Sequence, residues 1–284
     1  MRTVSTGRSG VLTLVGRARS GYVVLTTTDS GSATTLRRVR TDGSTVTLHA
    51  VGRRYASDAH VSPDGRRVAY TTTGRTSTTV FVRKSRDGSL LARKSYAGFS
   101  EVLAHRQRVL LSGFSTGVVR WFDPATRSTV VLDSPPLASA DLRHDRAVQI
   151  VEDPVNGFDG ICLVYARLSD PTDTRWRSCT EKPLATSPNG RRMVTTNIAA
   201  DGLGTGVLQV RDAETFAVSA TLRTSGYFGQ LHWEDDNSFV VFTWRKGRAA
   251  MVRYALDGTL ERVSEVVRMD VAGTSSLQWS FPTT

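Results

Sequence analysis

The sequence predicts an all-β protein built from repeated four-stranded antiparallel sheets, and three observations support this prediction. Thr, Ser and Val are abundant among the 284 residues, and no long run of strong helix formers occurs. Turn motifs that contain an aspartate recur at spacings of 36 to 47 residues. Between these turns, apolar and polar residues alternate with the period of two that is typical of strands. A repeat of this length is typical of the blades of a β-propeller.

The aspartate turns each follow one apolar segment and precede another, so each predicts a reversal between two strands. Three of them contain an Asp-Gly pair, which favours tight hairpin turns because Gly accepts a positive φ. These pairs are Asp42-Gly43, Asp87-Gly88 and Asp257-Gly258. The other three turns begin with Asp123-Pro124, Asp170-Pro171 and Asp212-Ala213.

From this period we predict one domain, residues 1–284, that contains six blades. The approximate bounds of the blades are 10–52, 53–98, 99–136, 137–181, 182–228 and 229–270. Segment 275–281 has the pattern of one more innermost strand, and we expect it to close the ring against the N-terminal blade. A seventh, incomplete blade is the alternative interpretation.

The clearest copy of the repeat is Val61–Tyr70, with the sequence Val-Ser-Pro-Asp-Gly-Arg-Arg-Val-Ala-Tyr. Pro63 fixes its φ angle, Asp64 can bond the backbone that follows it, and Gly65 accepts a positive φ. A degenerate copy starts at Ser187. The motif resembles the repeat of TolB-like β-propellers, which are similar to WD-repeat propellers. This resemblance implies a fold but no activity, because the repeat occurs in partner-binding proteins and in peptidase-associated propellers.

The chain has a formal net charge of +11, and nearly all of its 37 basic residues are arginines. A basic field of this size attracts polyanions such as nucleic acid, anionic lipid head groups or acidic cell-wall polymers. The arginines are scattered, with pairs such as Arg66-Arg67 but no block of five or six. Ordinary solvation of a β surface is therefore the alternative to a dedicated polyanion site.

The segment 152–160 collects oxygen-bearing side chains in one predicted loop. Asp153, Asn156 and Asp159 are its candidate ligands for a hard cation such as calcium. Their spacing differs from that of the helix-flanked calcium loop, and Asp, Asn and Gly are common in any loop. An ordinary loop is the alternative, and we expect no cofactor.

Four histidines lie near the ends of predicted innermost strands: His60, His105, His144 and His232. Imidazoles that converge on the central channel of a propeller could bind a metal ion. The alternative is hydrogen bonding at the edges of turns, since strand positions far apart in a ring do not meet unless they face the axis.

Cys162 and Cys179 are the only cysteines, and they flank the turn at Asp170-Pro171 on strands predicted to be neighbours. A turn centred between those two residues places the cysteines opposite each other, so a disulfide is feasible. Two buried free thiols are the alternative. An oxidised pair would indicate an exported protein. We expect a cytoplasmic protein if the chain is complete as given, and an envelope or secreted protein if a leader has been removed.

These observations predict a non-catalytic propeller that binds a protein or an anionic polymer at one end of the ring. We expect a monomer with no membrane span, since no apolar run of sufficient length occurs. Nucleic acid is not the expected partner, although the charge leaves it open. The alternative is a propeller enzyme, a hydrolase or lyase, with His60, His232 and Glu234 in the central channel.

Overall fold

The structure is a computed structural model that describes residues 10–28, 33–52, 56–113, 115–200 and 204–268. Within these ranges all regular secondary structure is β, in 24 strands. None of the described segments forms a helix with the length and apolar character needed to cross a membrane. The predicted closing strand 275–281 lies outside the described residues.

The chain divides into two compact units. The described part of the first unit lies within Met1–Gln149 and Arg167–Thr172, and that of the second within Ile150–Ala166 and Asp173–Trp279. The predicted span of one domain and the count of six blades stay predictions.

Three four-stranded antiparallel sheets belong to the first unit, each with its strands in chain order or its reverse. The first contains β1 (Gly10–Ala18), β2 (Gly21–Thr28), β3 (Thr34–Val39) and β4 (Thr45–Gly52). The second contains β5 (Ala56–Val61), β6 (Arg67–Thr73), β7 (Ser77–Lys84) and β8 (Leu90–Ala97). The third contains β9 (Glu101–His105), β10 (Val109–Ser112), β11 (Val119–Phe122) and β12 (Thr129–Leu132).

A fourth sheet has the strand order β13 (Leu137–Asp141), β14 (Arg146–Glu152), β15 (Ile161–Arg167) and β16 (Thr174–Ser178). These four sheets confirm the prediction of an all-β chain with four-stranded antiparallel repeats.

The remaining strands, all in the second unit, form one continuous sheet. They are β17 (Glu181–Thr186), β18 (Arg192–Asn197), β19 (Thr205–Asp212), β20 (Val218–Trp233), β21 (Ser238–Arg245), β22 (Arg248–Ala255), β23 (Leu260–Arg262) and β24 (Val267–Arg268). The 16-residue strand β20 pairs with β19 through its first half and with β21 through its second half. The predicted blade boundary at residues 228 and 229 therefore lies inside a strand.

The side chains of β6 alternate between two apolar clusters, which explains how the sheets of the first unit pack. Val68 and Tyr70 belong to an apolar cluster with residues of the first sheet, whereas Ala69, between them, belongs to a cluster with residues of the third. Successive side chains of a strand point to opposite faces, so one central strand supplies both cores. All three side chains are fully buried, and burying a side chain of the size of Val68 typically contributes about 1.5–3 kcal/mol.

The same type of hydrogen bond occurs in all six predicted aspartate turns. In each turn the aspartate carboxylate accepts the backbone N–H of the residue two positions later, at 2.8 to 3.1 Å. The donors are Ser44, Ser89, Ala125, Thr172, Glu214 and Thr259. The period read from the sequence is therefore a period of Asx turns, in which a local side chain reverses the chain.

Candidate functional site

The candidate site is a cleft of about 800 Å³ in the first unit, here called the basic cleft. Residues of the first two sheets line it. They come from the β1–β2 turn, from β3, from the β5–β6 turn and from the β7–β8 segment: Arg19, Ser20, Arg38, Asp64, Gly65, Arg66, Arg67, Lys84, Ser85, Arg86 and Leu91. In an antiparallel meander the turns after the first and third strands lie at the same end of a sheet, which explains why these turns meet.

Three of these turns are joined at the carbonyl oxygen of Gly65. This oxygen accepts the backbone N–H of Arg19 at 3.2 Å and the hydroxyl of Ser85 at 2.6 Å. The Ser85 amide also donates to the carbonyl of Arg66 at 2.9 Å. Gly65 has a φ of +65°, and a Cβ atom there would lie 2.8 Å from the Arg19 nitrogen. The position therefore requires glycine both for its φ angle and for the close approach of the neighbouring turn.

The β5–β6 turn is held from inside by Ser62, which is 3% exposed. Its hydroxyl donates to the Asp64 carboxylate at 2.6 Å, and its carbonyl accepts the Gly65 amide at 2.7 Å. The Ser62 hydroxyl, followed by the Arg66 amide and the charges of Arg67 and Arg66, lowers the pKa of Asp64. The degenerate copy has the same two bonds, with Ser187 Oγ and Asn189 Oδ1 2.9 Å apart. Asp64 is thus an ionised turn residue rather than a proton donor.

The basic cleft carries an excess of positive charge. Its lining holds six cationic side chains and one carboxylate. Arg67 donates to the backbone carbonyls of Arg106 at 2.8 Å and Gln107 at 3.5 Å. The other five cations form no ion pair with a described residue: Arg19, Arg38, Arg66, Lys84 and Arg86. Such a group of cations attracts anions.

Arg38 differs from the other cations because only 5% of the residue is exposed. Its Nη1 donates to the hydroxyl oxygen of Ser20 at 2.9 Å. Its buried Nε has no hydrogen-bond partner among the described residues. Burial, followed by the charges of Arg40 and Arg86, lowers the pKa of Arg38, while the charge of Asp87 acts in the opposite direction. A buried guanidinium with neighbouring cations is costly until an anion accompanies it.

Two of the four predicted channel histidines lie close together in the first unit. His60 is on β5 and His105 is on β9. The two residues are close enough that the backbone of His60 affects the pKa of the His105 imidazole. Burial lowers the pKa of each to about 4. The charge of Arg67 lowers the pKa of His105 further, whereas the backbone of His60 raises it. Within the described residues, neither ring nitrogen of His105 is in hydrogen-bonding geometry with a partner. Both imidazoles are therefore neutral at pH 7.

The other two histidines have different surroundings. In the first unit, Nδ1 of His144 lies 2.7 Å from Oδ2 of Asp141. In the second unit, burial lowers the pKa of His232, and the Glu234 charge partly offsets that effect. Glu234 forms a bidentate ion pair with Arg253, at 2.5 and 3.1 Å. The set His60, His232 and Glu234 belongs to two separately described units and stays a prediction.

In the candidate cation loop, the carboxylate of Asp153 is already engaged by the loop backbone and by Arg177. The Asp153 carboxylate accepts the amides of Val155 at 3.2 Å and Asn156 at 2.9 Å, and Arg177 lies 2.6 Å from it. The hydrogen bond from the Asn156 amide is the main reason why the pKa of Asp153 is lowered. Asp159 has a φ of +49°, as a turn residue does. These contacts are those of a structural turn, and a cation at Asp153, Asn156 and Asp159 stays a prediction.

The predicted disulfide is present between Cys162 and Cys179, with their Cα atoms 4.2 Å apart. Leu163 pairs with Ser178 in the β15–β16 register, so the cysteines are the next opposed pair. The Asp153 carboxylate and the two sulfur atoms lie within 4.8 Å of one another. A bonded disulfide supplies no thiolate, and thiolates are the form in which cysteine binds metals.

No protein-family model matches the chain, and no curated protein sequence is significantly similar to it. Solved structures do resemble it. The β-propeller domain of Cps50 (Swd1) from Myceliophteria thermophila aligns with a TM-score of 0.56 and 12% identity, over 92% of this chain and 87% of that one. TolB from Acinetobacter baumannii aligns with a TM-score of 0.52 and 14% identity, over 86% and 63%. Dihydro-heme d1 dehydrogenase NirN, in complex with DHE, aligns with a TM-score of 0.58 and 14% identity, over 91% and 67%.

These similarities show the fold: the chain is a β-propeller. They show nothing finer, because the identities are far below the level at which function transfers. One of the three structures is a dehydrogenase by name. The fold therefore does not separate a binding module from an enzyme, and the function has to be argued from the site.

Sequence reasoning did not find the basic cleft. The arginines were described as scattered because they occur in pairs such as Arg66-Arg67 with no block of five or six. Arg19, Arg38 and Arg86, which line the cleft, are far apart along the chain. One signal was available. Basic residues at the turns after the first and third strands of two successive repeats share one end of the sheets, and they could have been counted together.

Proposed function

We propose that this chain is a non-catalytic β-propeller that binds an anionic polymer in the basic cleft. The observation that carries the proposal is the set of five cleft cations without an ion-pair partner among the described residues. Four of them are exposed, namely Arg19, Arg66, Lys84 and Arg86. A polymer with many negative groups gains affinity from such a cluster, largely by releasing its condensed counterions.

The contacts of Asp64 support a binding role over a catalytic one. Among the described residues, this carboxylate is the only acidic side chain that lines the cleft. It accepts the Ser62 hydroxyl and the Arg66 amide, and its pKa is lowered. General acid catalysis near pH 7 needs a carboxyl group with a raised pKa instead. The alternative of an enzyme with His60, His232 and Glu234 gains no support from the ion pair that holds Glu234 to Arg253.

The Cys162–Cys179 disulfide supports the exported location among those predicted from the sequence, because disulfides persist in oxidising compartments. Acidic polymers of the cell surface are then suitable ligands. The Ser-Pro-Asp-Gly turn and the structural similarity to TolB support a TolB-like family for the chain. A protein partner, the other class predicted, would have to present acidic side chains to the same cleft.

Binding of fluorescent polyphosphate and of fluorescent heparin tests the proposal, measured by anisotropy from 50 to 200 mM salt. We expect affinity to fall steeply with salt, as it does when several cations contact a polyanion. The variant Arg66→Ser/Arg86→Ser should bind both probes more weakly and reduce the log–log salt slope by about two.

The matched control is Arg245→Ser/Arg248→Ser, which removes the same charge from exposed positions in the second unit. It should bind nearly as the unaltered chain does. Equal losses in the two double variants would overturn the proposal, because binding would then follow net charge and not the cleft. The proposal would also be overturned if the unaltered chain bound neither probe at the lowest salt concentration.

A further inference from the structure

We propose that the inner wall of the basic cleft, formed by Arg38 and Ser20, is a seat for one tetrahedral oxyanion, a phosphate or sulfate group of the bound polymer. This inference rests on the proposed function and names the chemical group that the cleft recognises. Its experiment can fail while polymer binding persists.

The first observation is the isolation of the Arg38 charge. The residue is 5% exposed, yet no described carboxylate lies within ion-pair distance of its guanidinium. Its Nε is buried without a partner in the part of the chain that the structure describes, and its one described side-chain hydrogen bond goes to the neutral Ser20. Taking a charge out of water without a counterion is costly. The Asp87 charge acts on Arg38 only from beyond ion-pair distance. An anion at this wall would supply a direct counterion.

The second observation is the arrangement of donors. Ser20 Oγ accepts the Nη1 hydrogen of Arg38, so the hydroxyl hydrogen of Ser20 remains available for an acceptor. No described hydrogen bond uses Nη2 of Arg38. The two groups thus present neighbouring donors from different segments, the β1–β2 turn and strand β3.

The third observation is the charge around this wall. Lys84 and Arg86 are exposed at the β7–β8 segment that lines the same cleft. Guanidinium, ammonium and hydroxyl donors that come from three segments suit an anion with oxygens in several directions. A tetrahedral phosphate or sulfate has that shape, whereas a carboxylate offers two oxygens in one plane. The seat should therefore prefer tetrahedral oxyanions to carboxylates.

Small anions test the seat without the polymer. Sodium phosphate, sodium sulfate and sodium acetate are titrated at constant ionic strength, and binding is followed by calorimetry and by the melting temperature. We expect phosphate and sulfate to bind saturably, and acetate to bind at least tenfold more weakly. Polyphosphate and heparin then distinguish a phosphate source from a sulfate source by their relative affinities.

Two variants assign the site. Arg38→Lys keeps the charge but loses the planar donor pair, and Ser20→Ala removes a hydroxyl from an exposed turn without threatening the core. Each should weaken phosphate or sulfate binding about tenfold, the usual effect of losing a charge-assisted hydrogen bond. Arg245→Lys, the same substitution at an exposed arginine of the second unit, should change nothing.

Several results would overturn the seat. One is that acetate binds with the same affinity as phosphate. Another is that phosphate affinity is unchanged in both Arg38→Lys and Ser20→Ala. If polymer binding still fell in Arg66→Ser/Arg86→Ser, the proposed function would stand and only the seat would be wrong. If the polymer bound equally to that double variant and to the Arg245/Arg248 control, the proposed function itself would be wrong, and the seat that rests on it would lose its basis.

Discussion

Ser85 donates its hydroxyl hydrogen to the carbonyl oxygen of Gly65 across 2.6 Å. Ser85 is buried, and the same oxygen accepts the Arg19 amide. One carbonyl group thus joins the β5–β6 turn to the β7–β8 turn and to the first sheet. The shape of the basic cleft depends on these bonds, and they can be tested one at a time.

Gly65→Ala should destabilise the protein more than an ordinary glycine substitution at positive φ. The new Cβ would lie 2.8 Å from the Arg19 nitrogen and 3.0 Å from the carbonyl carbon of Ala18, both backbone atoms. We expect a loss of about 2–4 kcal/mol in the free energy of unfolding, from strain plus displacement of the turn. Urea unfolding measures it.

Gly117→Ala is the matched control for Gly65→Ala. Gly117 has a φ of +68°, close to the +65° of Gly65, but a Cβ there meets no atom of the described residues within 4 Å. It should cost only about 1 kcal/mol, the strain of the φ angle itself. Equal losses at the two glycines would show that the contact with Arg19 does not matter.

Ser85→Ala should cost about 1 kcal/mol in the free energy of unfolding, because the Gly65 carbonyl loses one of its two donors. The fold should accommodate the change. In the degenerate copy, Ala213 donates its amide to the carbonyl of Arg191, just as Ser85 does to that of Arg66. Chemical denaturation checks the value, with Ser89→Ala as an exposed control. A change below the error of the measurement would contradict the role given to this hydroxyl.

Stability should fall as the pH decreases from about 6.5 to 4, in part because of His105. Its pKa is about 4 in the folded protein and 6.5 when unfolded. The unfolded chain therefore binds more protons in this window, and the folded state loses stability as the pH falls. Burial is the main cause, and the charges of Arg67 and His60 act in the same direction while Asp64 opposes them. The full effect is about 3 kcal/mol.

Unfolding in urea at pH 7, 5.5 and 4.5 measures this loss, in the unaltered chain and in His105→Leu. The variant should lose less stability between pH 7 and 4.5. The aspartates of the turns have lowered pKa values, so they titrate mainly below this window. If both proteins have the same pH dependence, His105 is not protonated on unfolding as argued.

Reduction of the Cys162–Cys179 disulfide should lower the free energy of unfolding by about 3 kcal/mol, which is the loop-entropy value for a separation of 17 residues. Cys162→Ala/Cys179→Ala should lose a similar amount and should no longer respond to reductant. Thiol titration of the denatured, unreduced protein is the direct check. Two reactive thiols in that titration would refute the disulfide.

The turns were predictable because their causes are local. An aspartate that bonds the amide two residues later needs no tertiary contact, so all six turns follow from short segments such as Asp42–Ser44. The disulfide was also within reach, since a hairpin turn sets the register of the two strands that carry it. The sequence left two alternatives open, a disulfide or two free thiols. The register in which β15 pairs with β16 decided between them.

Boundaries between repeats were less predictable. Strand β20 continues through the predicted junction of two blades. Glycines at 226 and 229 allow this, because a Cβ at Gly226 would lie 1.9 Å from the Trp244 carbonyl oxygen and one at Gly229 would lie 2.8 Å from the Phe242 ring. Their role depends on strand β21, and alternation along β20 alone does not reveal it.

By itself, the sequence determined the β class, the repeat and the chemistry of each turn, because these depend on neighbours along the chain. Only the tertiary structure decided where charge accumulates. Arg19, Arg38 and Arg86 meet because Val68 and Tyr70 pack the second sheet against the first, which brings the turns of both sheets to one cleft. Burial then leaves Arg38 without a counterion. Charge and burial depend on distances in space, and these exist only once the sheets have packed.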